Sequence, residues 1–325
     1  MLAVSLTHPD PRDPLAAVEI GPIDEPQPPD GWTTVAVRAA ALNHHDLWSM
    51  RGVGVDPSWL PCVLGSDGAG VDADGNEVII HPLIADPRAG DGDETYDPRR
   101  RMISDGINGT LAESIAVPRT NLVAKPASMS WETAACLPTA WLTAYRMLFS
   151  KAALPAGSTV LVQGAGGGLA TALIVLGTNA GMRVWVTSRD PLKRERVVSE
   201  LGADRAFEPG ERLPERVDAV MESVGEATWT HSLRSLRPGG AIVVAGSTSG
   251  VAIDPQISRM FLNQIRILGS ALGTVGELRR LVALVDTQGL SPPIDSRHSL
   301  HGALDGARRM LNGEVFGKVI VAPGD

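Results

Sequence analysis

At 325 residues the chain is long enough for about two domains. With 43% hydrophobic and 20% charged residues it has the composition of an ordinary globular protein, which excludes a disordered or fibrous one. The net charge of −8 argues against a general nucleic-acid or anionic-membrane surface, and no apolar run reaches the roughly 18 residues of a membrane span.

Cys62 and Cys136 are the only cysteines, too few for a disulfide framework or a four-thiolate zinc site. Met1, Leu2, Ala3 and Val4 lack the basic start and apolar stretch of a secretion signal, so free thiols and a cytoplasmic location are expected.

Residues 1–125 carry short apolar runs at 33–37, 65–71, 77–80 and 111–117, broken by Pro and Gly, which predict a strand-rich domain. Between them, residues 84–108 form a polar stretch rich in Asp, Gly and Arg, longer than a simple turn. Helical periodicity covers 131–149. From 159 onward apolar runs alternate with helical segments: strands at 159–163, 183–187, 219–222 and 241–245, helices at 169–180, 192–201 and 229–236. That alternation predicts a doubly wound parallel sheet over 126–264. Residues 265–325 return to the first domain, with a helix near 276–288 and a last strand at 318–322; the run 265–271 is either an edge strand or an internal one.

The strand at 159–163 runs directly into Gly164, Gly166, Gly167 and Gly168, with Ala170 at the next small-residue position and a helix after it. Glycines let backbone approach a pyrophosphate, and the helix start supplies unpaired amides and a positive dipole end. A lone glycine pattern is weak, but strand before, helix after and a second strand beyond are the required context. That second strand ends in Thr187, Ser188 and Arg189, with Lys193 and Arg194 further on. An acidic residue there would bind a ribose diol; a hydroxyl and a guanidinium suit a 2′-phosphate, so NADPH is the expected cofactor. Asp190 as a ribose ligand is the alternative. Ser247 and Thr248 follow the strand at 241–245, where they either touch the nicotinamide half or form a polar turn.

Several segments together resemble the medium-chain dehydrogenase/reductase superfamily over nearly the whole chain. They are Asn43, His44, His45 and Asp46 before Gly52; Gly65 to Gly70; Thr143, Ala144 and Tyr145; the glycine turn; Leu201 to Asp204; Glu222 to Gly225; and Phe316 to Val319. The resemblance implies a Rossmann domain inserted in a strand-rich GroES-like catalytic domain, and a homodimer or homotetramer. It also implies that the positions which hold catalytic zinc in zinc alcohol dehydrogenases are Asn43, Ser66 and Thr139 here, none an ordinary zinc ligand. The lobe that would hold structural zinc falls within 84–108, which has no cysteine. The chain therefore resembles the zinc-independent, quinone-oxidoreductase-like branch, and no metal is expected.

That branch implies an NADPH-dependent reductase of quinone-like or α,β-unsaturated carbonyl compounds. Without a Lewis acid, hydrogen-bond donors must absorb the charge that develops on the acceptor oxygen. The expected catalytic set is Asn43 as a hydrogen-bonding amide, His45 as a proton donor near neutral pH and Asp46 as an orienting carboxylate. His44 and His45, if extended, point to opposite faces and would not share an ion. Tyr145 and His81 read as packing residues. Alcohol/aldehyde interconversion and a non-catalytic NADPH sensor are the alternative functions; both take a small-molecule ligand.

Overall fold

The structure is a computed structural model that describes residues 1–324. It divides into two compact units, 1–142 with 274–325, and 143–273. The divisions lie later in the chain than the expected 125/126 and 264/265, for two local reasons. The helix Trp131–Cys136 packs on the strands Trp32–Ala41 and Asp67–Asp72, which ties it to the first unit. The strand Arg266–Gly269 pairs in parallel with Leu236–Val244, which ties it to the second.

In the first unit a seven-stranded sheet is built on Trp32–Ala41, which pairs with Asp67–Asp72, Ser114–Pro118 and Lys318–Ala322. Its alternation places Thr33, Val35, Val37 and Ala39 inside. These join Ile80, Leu111, Ile115, Val117, Val319 and Val321 in the core. The stretch 84–108 is ordered by its own acids. Asp97 accepts from the N–H groups of Asp86 (2.8 Å) and Arg99 (2.9 Å), and Asp93 from that of Thr95 (3.1 Å). The short strands Leu83–Ile84 and Arg101–Met102 pair at its base. Carboxylates bonded to backbone amides thus organise a lobe that contains no thiol.

The second unit holds a six-stranded, wholly parallel sheet. Numbered along the chain its strands lie in the order 3-2-1-4-5-6, the dinucleotide-binding arrangement, with the switch point between Thr159–Gln163 and Val217–Glu222. Val160, Leu161 and Val162 are all buried, as expected for a strand covered on both faces. One strand, Arg205–Phe207, has no counterpart among the expected elements; three residues carry too little periodicity to read. Arg266–Gly269 is the open edge of the sheet. Among the described residues no helix is long and apolar enough to cross a membrane.

Candidate active site

In the second unit, Gly164 closes the first strand with φ +91°, a backbone state that only glycine adopts without strain. Gly167 caps the helix Gly168–Asn179, and no side chain caps that helix end. The first helical bond runs from Thr171 N–H to Gly167 O at 3.0 Å, so the amides before it face outward. A Cβ added to Gly167 would meet nothing within 4 Å. An open backbone cradle at a helix start fits the pyrophosphate of a dinucleotide.

A buried network holds the cradle in place. Gly164 N–H donates to Thr187 Oγ1 (3.4 Å), whose hydroxyl donates to Gln163 Oε1 (2.6 Å). Gln163 Nε2 donates to Ser232 Oγ (3.0 Å), which donates to Glu222 Oε2 (2.6 Å). Glu222 Oε1 then accepts from the N–H groups of Val224 (2.8 Å) and Gly225 (3.0 Å). The turns that follow two neighbouring strands at the switch point are thereby linked.

At the adenosine end, Ser188 is buried and its carbonyl accepts from Arg194 Nη1 (2.7 Å). Arg194 also pairs with Glu208 (3.1 Å), so that guanidinium is engaged. Asp190 Oδ1 accepts from the N–H groups of Leu192 (2.9 Å) and Lys193 (3.4 Å) as a helix cap, which gives it a local role other than holding a ribose. Arg189 is exposed, with no side-chain partner among the described residues, and Lys193 is half-buried beside it. Ser247 is half-buried; Thr248 is exposed and donates to Ser223 O (3.4 Å).

In the first unit, His44 and His45 do not lie in an extended segment. Asn43, itself extended, caps the helix His44–Met50, so the two histidines are adjacent positions on a helix rather than opposite sides of a strand. Asp46 is fully buried and clamps two loops, accepting from Asn43 N–H (2.8 Å) and Gly65 N–H (2.9 Å). Burial raises its pKa, against the pull of His45 and those two donors. Gly65 sits at φ +97°, and a Cβ there would lie 2.7 Å from the Leu111 nitrogen.

His45 turns to Asp105, with Nε2 3.1 Å from Oδ1. Burial, the largest influence, disfavours charge on the ring, but the Asp105 hydrogen bond and the charges of Asp105 and Asp46 outweigh it and raise the pKa. A histidine with a raised folded pKa stabilises fully below its ordinary value, roughly 6.5, and the contribution is lost as pH rises through the raised value. Asp105→Asn is expected to lower the His45 pKa, read by NMR titration, and to reduce stability at pH 6 more than at pH 9. An unchanged titration would show that the pair does not govern the ring.

Asn43, Ser66 and Thr139 meet. Asn43 Nδ2 donates to Ser66 Oγ (3.3 Å), and Ser66 Oγ lies 3.3 Å from Thr139 Oγ1. Beside them is a group that sequence reasoning did not single out, Lys318, which is 2% exposed. Its ammonium donates to Leu42 O (2.9 Å), Asn43 Oδ1 (2.7 Å) and Asp67 Oδ2 (2.7 Å). Asp67 is fully buried. The signal available in the sequence was a lysine opening an otherwise apolar strand, Lys318–Ala322.

This set does not fit zinc. Its members are an amide and two hydroxyls, and the amide oxygen is already taken by the Lys318 ammonium. Burial pushes the Cys136 thiol up to about 12 and also raises that of Cys62, so both are neutral thiols near pH 7. Among the described residues no group of three or more His, Cys, Asp or Glu side chains is arranged to hold a metal. Tyr145 packs against Phe149 with the rings tilted and their centroids 4.9 Å apart, and buried His81 bonds to Leu83 O at 3.2 Å.

Residues 29–127 match the alcohol dehydrogenase GroES-like domain, and residues 168–287 the zinc-binding dehydrogenase domain. A solved NAD-dependent alcohol dehydrogenase is 30% identical, superposes with a TM-score of 0.91 and is covered over 100% of both chains. The chain belongs to the medium-chain dehydrogenase/reductase superfamily. At that level it is an oxidoreductase. Crotonyl-CoA reductase of Streptomyces collinus is 27% identical over 96% of this chain and 83% of its own length. A 2-octenoyl-CoA carboxylase reductase, solved with NADP and 2-octenoyl-CoA, is 26% identical, with a TM-score of 0.90 over 99% of this chain and 87% of that one. The superfamily has zinc-binding members; the positions that the resemblance aligns with their catalytic ligands hold an amide and two hydroxyls here.

Proposed function

We propose that the protein is an NADPH-dependent, zinc-independent reductase of α,β-unsaturated carbonyl or quinone-like acceptors. The observation that carries this reading is a linked amide and two hydroxyls, beside a buried ammonium, at the positions that the resemblance assigns to catalytic zinc. The relatives that act on or bind unsaturated acyl thioesters support the acceptor class.

NADPH is the cofactor, held by the cradle of Gly164, Gly166, Gly167, Gly168 and Ala170 and at its 2′-phosphate by Arg189, with Ser188 and Lys193 beside it. Ser247 and Thr248 line the far end of the same ligand crevice. When bound, NADPH supplies a hydride. The chain's own residues supply position and a fixed electrostatic field. Asn43 carries the amide of the polar chain, Asp46 holds the loops of Asn43 and Gly65 in register, and His45 with Asp105 forms a titratable pair next to that loop.

An enone has a second advantage at a site without a Lewis acid. Charge arriving at carbon delocalises to the carbonyl oxygen, where hydrogen-bond donors suffice to stabilise it. The expected result is NADPH oxidation with enones or quinones at a rate unaffected by prior chelator treatment, followed at the nicotinamide absorbance. Loss of turnover on chelation, restored by zinc, would refute the metal-free reading. The alcohol dehydrogenase likeness supports a second reading, alcohol/aldehyde interconversion, which would instead reduce NADP with simple alcohols.

A further inference from the structure

The polar chain that ends on Thr139 has one possible direction. An ammonium donates and never accepts. Lys318 Nζ lies 2.7 Å from the Asn43 side chain, so the amide atom facing it must be the oxygen. That assignment turns Asn43 Nδ2 away from the lysine, and its two hydrogens go to Ala41 O (3.4 Å) and Ser66 Oγ (3.3 Å). Ser66 is fully buried and now accepts from the amide. Among the described residues its own hydrogen has one acceptor within reach, Thr139 Oγ1 at 3.3 Å. If Thr139 donated to Ser66 instead, the serine hydrogen would be buried without a partner, which costs about 1–3 kcal/mol in general. Thr139 therefore accepts from Ser66, and its own hydrogen is left over.

Thr139 is also the open end of the chain in space. Asn43 and Ser66 are buried, whereas Thr139 is half-buried. It lies in the wide-turn helical segment Leu137–Trp141, next to Pro138, which has no N–H to give a regular helix. Wide turns of this kind occur frequently at functional sites. Each bond in a one-way series polarises the next, so a hydroxyl fed by a buried cation through an amide is a stronger donor than an isolated one.

We propose that Thr139 is a catalytic residue whose hydroxyl donates a hydrogen bond to the carbonyl oxygen of the acceptor. Lys318, Asn43 and Ser66 are positioning residues that act through it. The proposal rests on the reading of the chain as a reductase of carbonyl acceptors and adds the group that meets the oxygen. In the reaction, hydride from the reduced nicotinamide forms a C–H bond at the β-carbon. The Cα=Cβ pair shifts to make an enolate, and Thr139 stabilises its oxygen without giving up its proton. Solvent then gives one proton to Cα, so the double bond gains one hydride, which carries both electrons, and one proton, and the nicotinamide is left oxidised.

The test uses the full chain and cinnamaldehyde labelled at its carbonyl carbon. In the complex with NADP, where no hydride is available, the carbonyl stretch is expected to move to lower frequency on wild-type enzyme and on Thr139→Ser. It is expected to stay near its unbound value on Thr139→Val, which keeps the side-chain shape, with thermal unfolding measured alongside to check that the variant is folded. With NADPH, Thr139→Val should lower kcat about 100-fold, the loss seen when one oxyanion donor is removed, with KM little changed. Ser66→Ala, which cuts the chain and leaves the Thr139 hydroxyl, should give an intermediate shift and an intermediate rate. An equal stretch and equal kcat in wild type and Thr139→Val would overturn the proposal. The product separates it from the wider reading: cinnamyl alcohol instead of the saturated aldehyde would refute enone reduction while the Thr139 contrast still held. No stretch change and no turnover in wild type would overturn both.

Discussion

Lys318→Met is expected to destabilise the protein by about 3–5 kcal/mol, the usual effect of removing one member of a buried ion pair. Asp67 is fully buried, and Lys318 Nζ at 2.7 Å is its ionic partner. Without the ammonium the carboxylate must stay charged in a medium that solvates it poorly, or take up a proton at a free-energy cost. Leu42 O and Asn43 Oδ1 lose the same donor. Burial of the pair is no proof that it adds stability, because desolvation offsets much of the attraction. The double variant Lys318→Met with Asp67→Leu should therefore recover most of the loss. Urea denaturation of wild type, both single variants and the double variant reads this as a cycle. A single variant within about 1 kcal/mol of wild type would show that the pair is replaceable by solvent.

Arg189→Ala is expected to raise the KM for NADPH by about 10- to 100-fold and leave that for NADH nearly unchanged. The range follows from about 1.5–3 kcal/mol for a hydrogen bond to a charged group, with each 1.4 kcal/mol a factor of ten. The local geometry favours this residue over its neighbours. Arg194 is held by Ser188 O and Glu208, and Asp190 caps the following helix, whereas Arg189 is exposed without a side-chain partner among the described residues. Equal losses with the two cofactors would remove the phosphate role and reopen the choice of cofactor.

Much of the second unit was legible because its signals are local. The strand Thr159–Gln163, the glycine turn and the helix Gly168–Asn179 are adjacent in the chain, and each has its own period. The strand Arg205–Phe207 was missed because three residues have no period to detect. The His44–Met50 helix was misread as extended although a start signal is present, Asn43 followed three residues later by Asp46. His45 illustrates a different limit. The sequence offers His45 as a titratable group, but its partner Asp105 lies 60 residues away, and only folding brings the carboxylate to its ring.

Some properties of this site were determined by sequence alone, because they are properties of residue types. Asn43, Ser66 and Thr139 bear no thiolate, imidazole or carboxylate, whatever the fold does with them. The glycine turn likewise has its meaning within a short stretch of chain. The tertiary structure decided which groups meet. Lys318 reaches Asn43 across 275 residues and Asp67 across 251, by the pairing of a C-terminal strand with Trp32–Ala41. No period or spacing encodes that contact, since it depends on strand order and register in a sheet assembled from distant segments. The buried ammonium beside Asn43 is therefore visible only in three dimensions.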